Sequence, residues 1–193
     1  MADVTFRLAT PKDAERVLLI YAPFVENSHV SFEYVTPSAQ DVAERIRNTL
    51  IQDPWIIAEI NDELIGYAYA NTFRKRTAYS WTREVSIYMS ESSKGSGIAQ
   101  ILYKHLWQLL KYQGYRELIA GIALPNDRSI RFHEKMGFTY VGTFHDIGLK
   151  KGKFHGVGFW QMSIGAEGSP GEKPIPIAEV DKNIVDQILG KTS

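Results

Sequence analysis

The chemistry available to this chain begins with Glu84, the only acid in the run Glu84-Val85-Ser86-Ile87-Tyr88-Met89, which otherwise reads as core. A carboxylate in apolar surroundings has a raised pKa, closer to what a general base needs at neutral pH. Such a group could take a proton directly or through a water; the alternative is a structural ion pair with Arg83 or Arg116. The other acids considered, Glu59, Glu63, Glu91 and Glu117, fall at strand ends or turns and read as solvated. A few residues after Glu84 comes Lys94-Gly95-Ser96-Gly97-Ile98-Ala99, at the start of an apolar-faced segment. Glycines let several N–H groups turn toward one ligand, and the first amides of a helix lack intrahelical partners at its positive end. The result is an anion site suited to a pyrophosphate, with Lys94 adding charge; the alternative is a tight strand-to-helix connection. Lys94 precedes the glycines, so this is not a P-loop, and Gln100 stands where a dinucleotide fingerprint needs its third glycine.

Other candidates are more scattered. His133 follows Asn126 on a predicted helix; an imidazole can donate a proton or a hydrogen bond there, and a purely structural role is the alternative. His155, in His-Gly-Val-Gly-Phe-Trp-Gln, is a candidate lining residue or a structural one, and His29, His105 and His145 read as incidental. The histidines show no metal-ligand spacing. Arg74, Lys75 and Arg76, flanked by Tyr79 and Trp81, form either a carboxylate clamp built on the guanidinium fork or a solvated basic turn.

Several elements must position these groups. Val4 to Leu8 alternates as a strand, and Thr10-Pro11-Lys12-Asp13 opens a helix reaching about Asn27. The segment from Ser28 to Ser38 has no clear period; Pro37-Ser38 opens a second helix through Val42, Ile46 and Leu50. Trp55–Ile60 and Leu64–Ala70 make a hairpin about Asn61-Asp62. Glu84–Met89 is the next strand. Ile98, Ile101, Leu102, His105, Leu106, Leu109 and Leu110 then give one helical face. A strand from Tyr115 to Leu124, a helix from Asn126 to Met136 closed by Gly137, and strands Phe138–His145 and Phe154–Ile164 complete the pattern. Hairpins mixed with one crossover predict an α+β fold with a mixed sheet. Residues 166–193 hold a Pro/Gly-rich linker and a short helix near Glu179–Leu189, placed against the domain or against a partner subunit.

The 193 residues suffice for one domain with a full core. Zero formal net charge gives no push toward nucleic acid or an anionic membrane, and the absence of cysteine excludes disulfides, thiol catalysis and zinc–thiolate sites. No apolar run spans a bilayer and the first residues do not read as a signal peptide, so a cytoplasmic protein is expected.

The loop Lys94–Ala99 after a β-strand resembles the acyl-CoA pyrophosphate loop of the GNAT superfamily of N-acetyltransferases. Leu124-Pro125-Asn126-Asp127-Arg128-Ser129-Ile130-Arg131-Phe132-His133-Glu134-Lys135-Met136-Gly137-Phe138 resembles a second block of that family, with His133 where many members carry Tyr. The resemblance runs from about residue 5 to 165. Tyr21-Ala22-Pro23, Val30-Ser31-Phe32, Arg74 through Thr82, Glu84 to Tyr88 and His155 to Gln161 bring it nearest the phosphinothricin and methionine-sulfoximine acetyltransferases. Ser31-Phe32-Glu33 departs from their pattern, which leaves the acceptor open.

The resemblance implies a GNAT fold in residues 1–165, a mostly antiparallel sheet of about seven strands with about four helices. It implies acetyl-CoA as donor, no metal, and a small primary amine as acceptor, an amino acid or analogue. The backbone of Ile87, Tyr88 and Met89, on a strand edge that splays open, would pair with the pantetheine amides and polarise the carbonyl. The loop Lys94, Gly95, Ser96, Gly97, Ile98 and Ala99 would hold the pyrophosphate, and Asn126 and Ser129 the pantetheine arm. Glu84 would be the base and His133 would sit near the leaving thiol. Phe32, Arg74, Arg76, Tyr79, Trp81 and His155 would surround the acceptor. A homodimer is expected, with Phe159, Trp160 and apolar tail residues as candidate surface. The competing functions are a protein or peptide N-acetyltransferase of the same fold and a nucleotide-binding module without catalysis.

Overall fold

In the computed structural model, residues 4–165 and 171–190 are described. Seven strands form one sheet in the order β1-β2-β3-β4-β5-β7-β6. They are β1 (Val4–Leu8), β2 (Trp55–Ile60), β3 (Glu63–Thr72), β4 (Thr82–Met89), β5 (Glu117–Ala123), β6 (Thr139–Lys150) and β7 (Lys153–Ser163). Every neighbouring pair is antiparallel except β4–β5. The helices are α1 (Ala14–Asn27), α2 (Ala39–Gln52), α3 (Ile98–Gln113), α4 (Asp127–Lys135) and α5 (Lys182–Ile188). The expected mixed, mostly antiparallel sheet is therefore present; four helices precede residue 165 and the fifth lies in the tail. No helix among the described residues is long and apolar enough to cross a membrane.

Side-chain alternation sorts the two faces. On β3 and β4, Tyr67, Tyr69 and Asn71 pair with Tyr88, Ser86 and Glu84, so these six side chains share one face. α1 and α2 cover the part of that face over β1–β3, burying Val17, Ile20, Val42 and Ile46 against Trp55, Ile57 and Tyr67. α3 covers the other face with Leu102, Leu106, Leu109 and Leu110. Ile101, expected on that buried stripe, is instead exposed. The tail packs on the α3 side: Ile177, Val180, Val185 and Leu189 join the same core, and Gln113 Nε2 donates to the Ile175 carbonyl at 2.8 Å. The proposed linker at 166–170 and the residues after 190 lie outside the described residues.

Two sequence expectations need correction here. Glu59 is not solvated; it is 8% exposed and accepts from Arg7 and Arg16, both of which also reach Asp13. This network ties the entry to α1 onto β1 and β2. Trp160 is buried at 3% exposure in the α3-side core, so it offers no surface to a partner.

Candidate active site

β4 and β5 run parallel but pair only at Thr82–Glu117, Arg83–Leu118 and Glu84–Ile119. On its other edge β4 stays paired with β3 as far as Met89. From Ser86 onward the β5-side edge of β4 thus has no strand partner, and a cleft opens between the two strands. Ser86, Ile87 and Tyr88 form one wall, Gly121 to Ala123 the other, with Asn126, Ser129 and His133 of the α4 end beneath. The cleft continues past Met89 to Ala99 at the start of α3. An open edge of backbone N–H and C=O groups suits an extended amide-bearing chain that adds itself as a strand.

At its α3 end stands the glycine loop. Gly95 and Gly97 have φ of 78° and 80°, the left-handed region where a side chain is strained, and Gly97 occupies the N-cap position of α3. The amides of Lys94, Ser96, Ile98 and Gln100 are taken up locally, whereas those of Gly95, Gly97 and Ala99 donate to nothing among the described residues. Three orphan N–H groups at a helix start form a cradle for an anion. Lys94 is not a free cation here, because its ammonium pairs with Glu91. At the other side of the cleft, Asn126 caps α4: its Oδ1 accepts from the Ser129 N–H at 3.2 Å.

Glu84 is the last residue of β4 still paired with β5, at the point where the cleft opens. Gly121 makes room for its carboxylate: a Cβ at position 121 would stand 3.2 Å from Glu84 Oε1. Neither structural ion pair forms. Arg83 points to the opposite face and binds Asp53 at 2.6 Å, and among the described residues no hydrogen bond or ion pair reaches the Glu84 carboxylate. Burial alone pushes its carboxyl above the ordinary carboxylate range.

His133 is buried, and burial lowers its pKa. Both ring nitrogens are engaged, Nδ1 with the Ser129 carbonyl at 2.8 Å and Nε2 with the Tyr103 hydroxyl at 3.1 Å. The assignment that satisfies both is the neutral ring donating from Nδ1 and accepting at Nε2.

Among the other candidate residues, the segment 28–38 is irregular and fastened to the β6–β7 hairpin. Tyr34 donates to the Leu149 carbonyl, Lys150 to that of Glu33, and Phe32 lies so close to Gly148 that a Cβ there would meet its ring. His155 stacks on His29 with centroids 4.4 Å apart and bonds the Leu124 carbonyl through Nδ1. Arg74 sits against Phe73 and Tyr79, its guanidinium 5.2 and 5.5 Å from their ring centroids, beside a hollow over Ile119 and Phe159. Trp81 and Arg76 are not brought there. Trp81 lies on the α3 side of the sheet and donates to the Glu172 carbonyl of the tail at 3.4 Å; Arg76 is exposed ahead of a short 3-10 turn. Sequence reasoning missed Phe24, Val30 and Gly121 as cleft residues; they come from α1, the segment after it and β5, and only the tertiary packing brings them together.

The residues match a family model described as an acetyltransferase (GNAT) domain over positions 6–155. The chain is 34% identical to a phosphinothricin N-acetyltransferase of Streptomyces viridochromogenes across 92% of its own length and 96% of that protein. It is 26% identical to an L-methionine sulfoximine/L-methionine sulfone acetyltransferase of Salmonella typhimurium over 86% of this chain and 98% of the other. A crystal structure of a GNAT-superfamily phosphinothricin acetyltransferase from Sinorhizobium meliloti, in complex with acetyl-CoA, superposes with a TM-score of 0.84 at 32% identity, over 90% of this chain and 96% of that one. The open strand edge and the orphan amides fit the amide-linked arm and the pyrophosphate of that donor. This chain belongs to the GNAT family of N-acetyltransferases, which take their acetyl group from acetyl-CoA.

Proposed function

We propose that the protein acetylates the primary amine of a small amino acid or amino-acid analogue by direct attack on acetyl-CoA, with Glu84 as the base. The observation that carries this reading is the desolvated, unpartnered carboxylate where β4 and β5 part. The substrate ammonium must lose a proton before its nitrogen lone pair can attack the thioester carbon. Glu84, with its raised proton affinity, accepts that proton. The backbone N–H groups of Ile87 and Met89, which face the edge of β4 left open by β5, stabilise the oxyanion as the C–N bond forms. The C–S bond then breaks, and the thiolate takes its proton from water. With both its nitrogens in use, His133 acts in this reading as a positioning residue for Ser129 and Tyr103, in place of the proton donor considered from sequence.

The names of the relatives support an amino-acid analogue as acceptor, and the fastened segment 28–38 favours a small molecule over a peptide. A thiol-release screen with acetyl-CoA against amino acids, polyamines, aminoglycosides and peptides tests it; turnover confined to peptides would overturn it. Arg74, with its fork next to the acceptor hollow, binds the acceptor carboxylate. Arg74→Ala should raise acceptor KM about tenfold or more with acetyl-CoA KM unchanged. The same loss on an amino acid and on its amide would refute the clamp. The protein's acetyl-CoA chemistry supports a cytoplasmic setting.

The functional unit in this reading is a homodimer. Its basis is the β6–β7 hairpin, where Val141, Phe144, Ile147 and Phe154 are all more than half exposed. Apolar side chains left exposed together on one hairpin are the basis for an interface there. Light scattering at micromolar concentration should give about twice the 21.9 kDa chain mass; the mass of one chain would contradict it.

A further inference from the structure

The tail beyond β7 lies outside the residues that match the family model, which end at 155, yet its apolar side chains are part of the main core. Its polar contacts converge on one place. The Glu172 carbonyl accepts from Trp81 Nε1 at 3.4 Å. Ile175 is gripped twice by Gln113: its N–H donates to the Gln113 carbonyl at 2.9 Å, and its carbonyl accepts from Gln113 Nε2 at 2.8 Å. Where the chain leaves β7, the N–H groups of Ile164 and Gly165 donate to the Arg116 carbonyl, and the Arg116 N–H donates to the Trp81 carbonyl at 2.9 Å. Trp81 is thus held twice, through its indole and through its carbonyl.

Gln113 carries the connection further. Its Nε2 also donates to the Gln52 carbonyl at 2.8 Å, and Gln52 Nε2 donates to the Tyr115 hydroxyl at 2.9 Å. That hydroxyl donates to Asp53 Oδ1 at 2.9 Å, the oxygen that also accepts from Arg83 Nε at 2.6 Å. The Arg83 guanidinium lies 4.3 Å from the centroid of the Tyr115 ring. Gln113, Tyr115, Asp53 and Arg83 are all buried, where hydrogen bonds are strong and the loss of one member is felt by the rest. Trp81 and Arg83 flank Thr82, and Thr82, Arg83 and Glu84 are the three β4 residues that pair with β5. The two grips therefore close on the residues that decide where the strands part. Both act from the α3 side of the sheet, and Glu84 projects from the other.

We infer that the tail is a strap that fixes the closed end of the cleft, and that Trp81 and Gln113 are positioning residues for Glu84. The inference rests on Glu84 as the base. Three residue pairs make a short seam, and parallel pairing is the less stable kind per residue. A seam this short keeps its register only with support from the side, and the strap supplies it at Trp81 directly and at Arg83 through the buried network. Loosened there, β4 shifts against β5 and water reaches the Glu84 carboxylate. Hydration returns a carboxylate toward its ordinary proton affinity. The base also moves relative to the thioester, and a misplacement of about 1 Å costs about a hundredfold in rate. Removing Asp53 or Arg83 would leave the other as an unpaired buried charge, so the informative substitutions are at the two neutral grips.

The test is the pH profile of kcat/KM for one acceptor amino acid, with kcat, acetyl-CoA KM and melting temperature, in the full-length wild type, Trp81→Phe, Gln113→Met and Val17→Ala. Trp81→Phe keeps a ring and removes the indole donor. Gln113→Met keeps the length and removes the donations to Gln52 and Ile175. Val17→Ala, in the α1-side core away from the strap, is the stability control. Both strap variants should lower kcat about fivefold or more with acetyl-CoA KM unchanged, and should move the acid limb to lower pH by about 0.5 pH unit. Val17→Ala should lower the melting temperature and leave the limb in place. If Gln113→Met folds poorly, Trp81→Phe decides. Lower melting temperatures in the strap variants with the acid limb unmoved would make the tail a fold element only and overturn the inference, while leaving Glu84 as the base. An acid limb that persists in Glu84→Gln would instead count against the base on which the inference rests.

Discussion

Glu84→Gln should lower turnover at neutral pH by about a hundredfold and leave acetyl-CoA affinity nearly unchanged. Glutamine has the same shape and no basicity, and Glu84 holds no partner whose loss could disturb the fold. The deficit should shrink as pH rises, because an amine that is already deprotonated needs no base. The same substitution should stabilise the protein. Burial raises the folded-state pKa of Glu84 above its ordinary value, so the native state binds the extra proton and stability falls as pH rises through that window. Above it the wild type carries an uncompensated buried charge. The melting temperature of Glu84→Gln should exceed that of the wild type by a few degrees at pH 8, and the gap should close below about pH 4, where both states of the glutamate are protonated. An active site that is costly to the fold is the expected signature of a functional carboxylate. Equal melting temperatures at both pH values, with normal turnover, would remove Glu84 from the mechanism.

Gly97→Glu should weaken acetyl-CoA binding by about a hundredfold or more. Position 97 has φ of 80°, and a Cβ there would meet nothing within 4 Å, so the side chain itself would have room. Its damage would come from two other sources. A non-glycine residue in the left-handed region costs about 1–3 kcal/mol and would turn the orphan amides out of line. A carboxylate would also enter a cradle meant for a pyrophosphate; at surface-like screening, two charges about 4 Å apart repel by about 4 kcal/mol. Gly97→Ala introduces the strain alone and should lose less. Calorimetric titration of both variants with acetyl-CoA separates the contributions, and wild-type affinity in Gly97→Glu would refute the pyrophosphate cradle.

The elements that position this site were legible because their signals are local. Alternation marked the strands, Thr10-Pro11 and Ser38 marked helix starts, and Asn61-Asp62, both at positive φ in the structure, marked the β2–β3 turn. The isolation of Glu84 among apolar residues also pointed to the right environment. What the sequence concealed is long-range. Arg83 adjoins Glu84 in the chain, yet alternation sends it to the opposite face and to Asp53, 30 positions away. Trp81 shares that parity, which is why a residue close to Arg74 in the chain serves the tail instead. Glu59 read as a solvated strand end because its partners, Arg7 and Arg16, belong to β1 and α1. The engagement of both His133 nitrogens depends on Tyr103, on a different helix. The chain of hydrogen bonds from the tail to Arg83 draws on two helices, a strand and the tail itself, and no single stretch announces it.

The most direct test of Glu84 as the base is the pH dependence of kcat/KM for one acceptor amino acid, in the wild type and in Glu84→Gln. In the wild type the rate should fall on the acid side through a titration above the ordinary carboxylate range, as the base takes up its proton. In Glu84→Gln that limb should vanish, leaving only the rise set by the amine itself. The same acid limb in both proteins, with equal rates at neutral pH, would contradict the account.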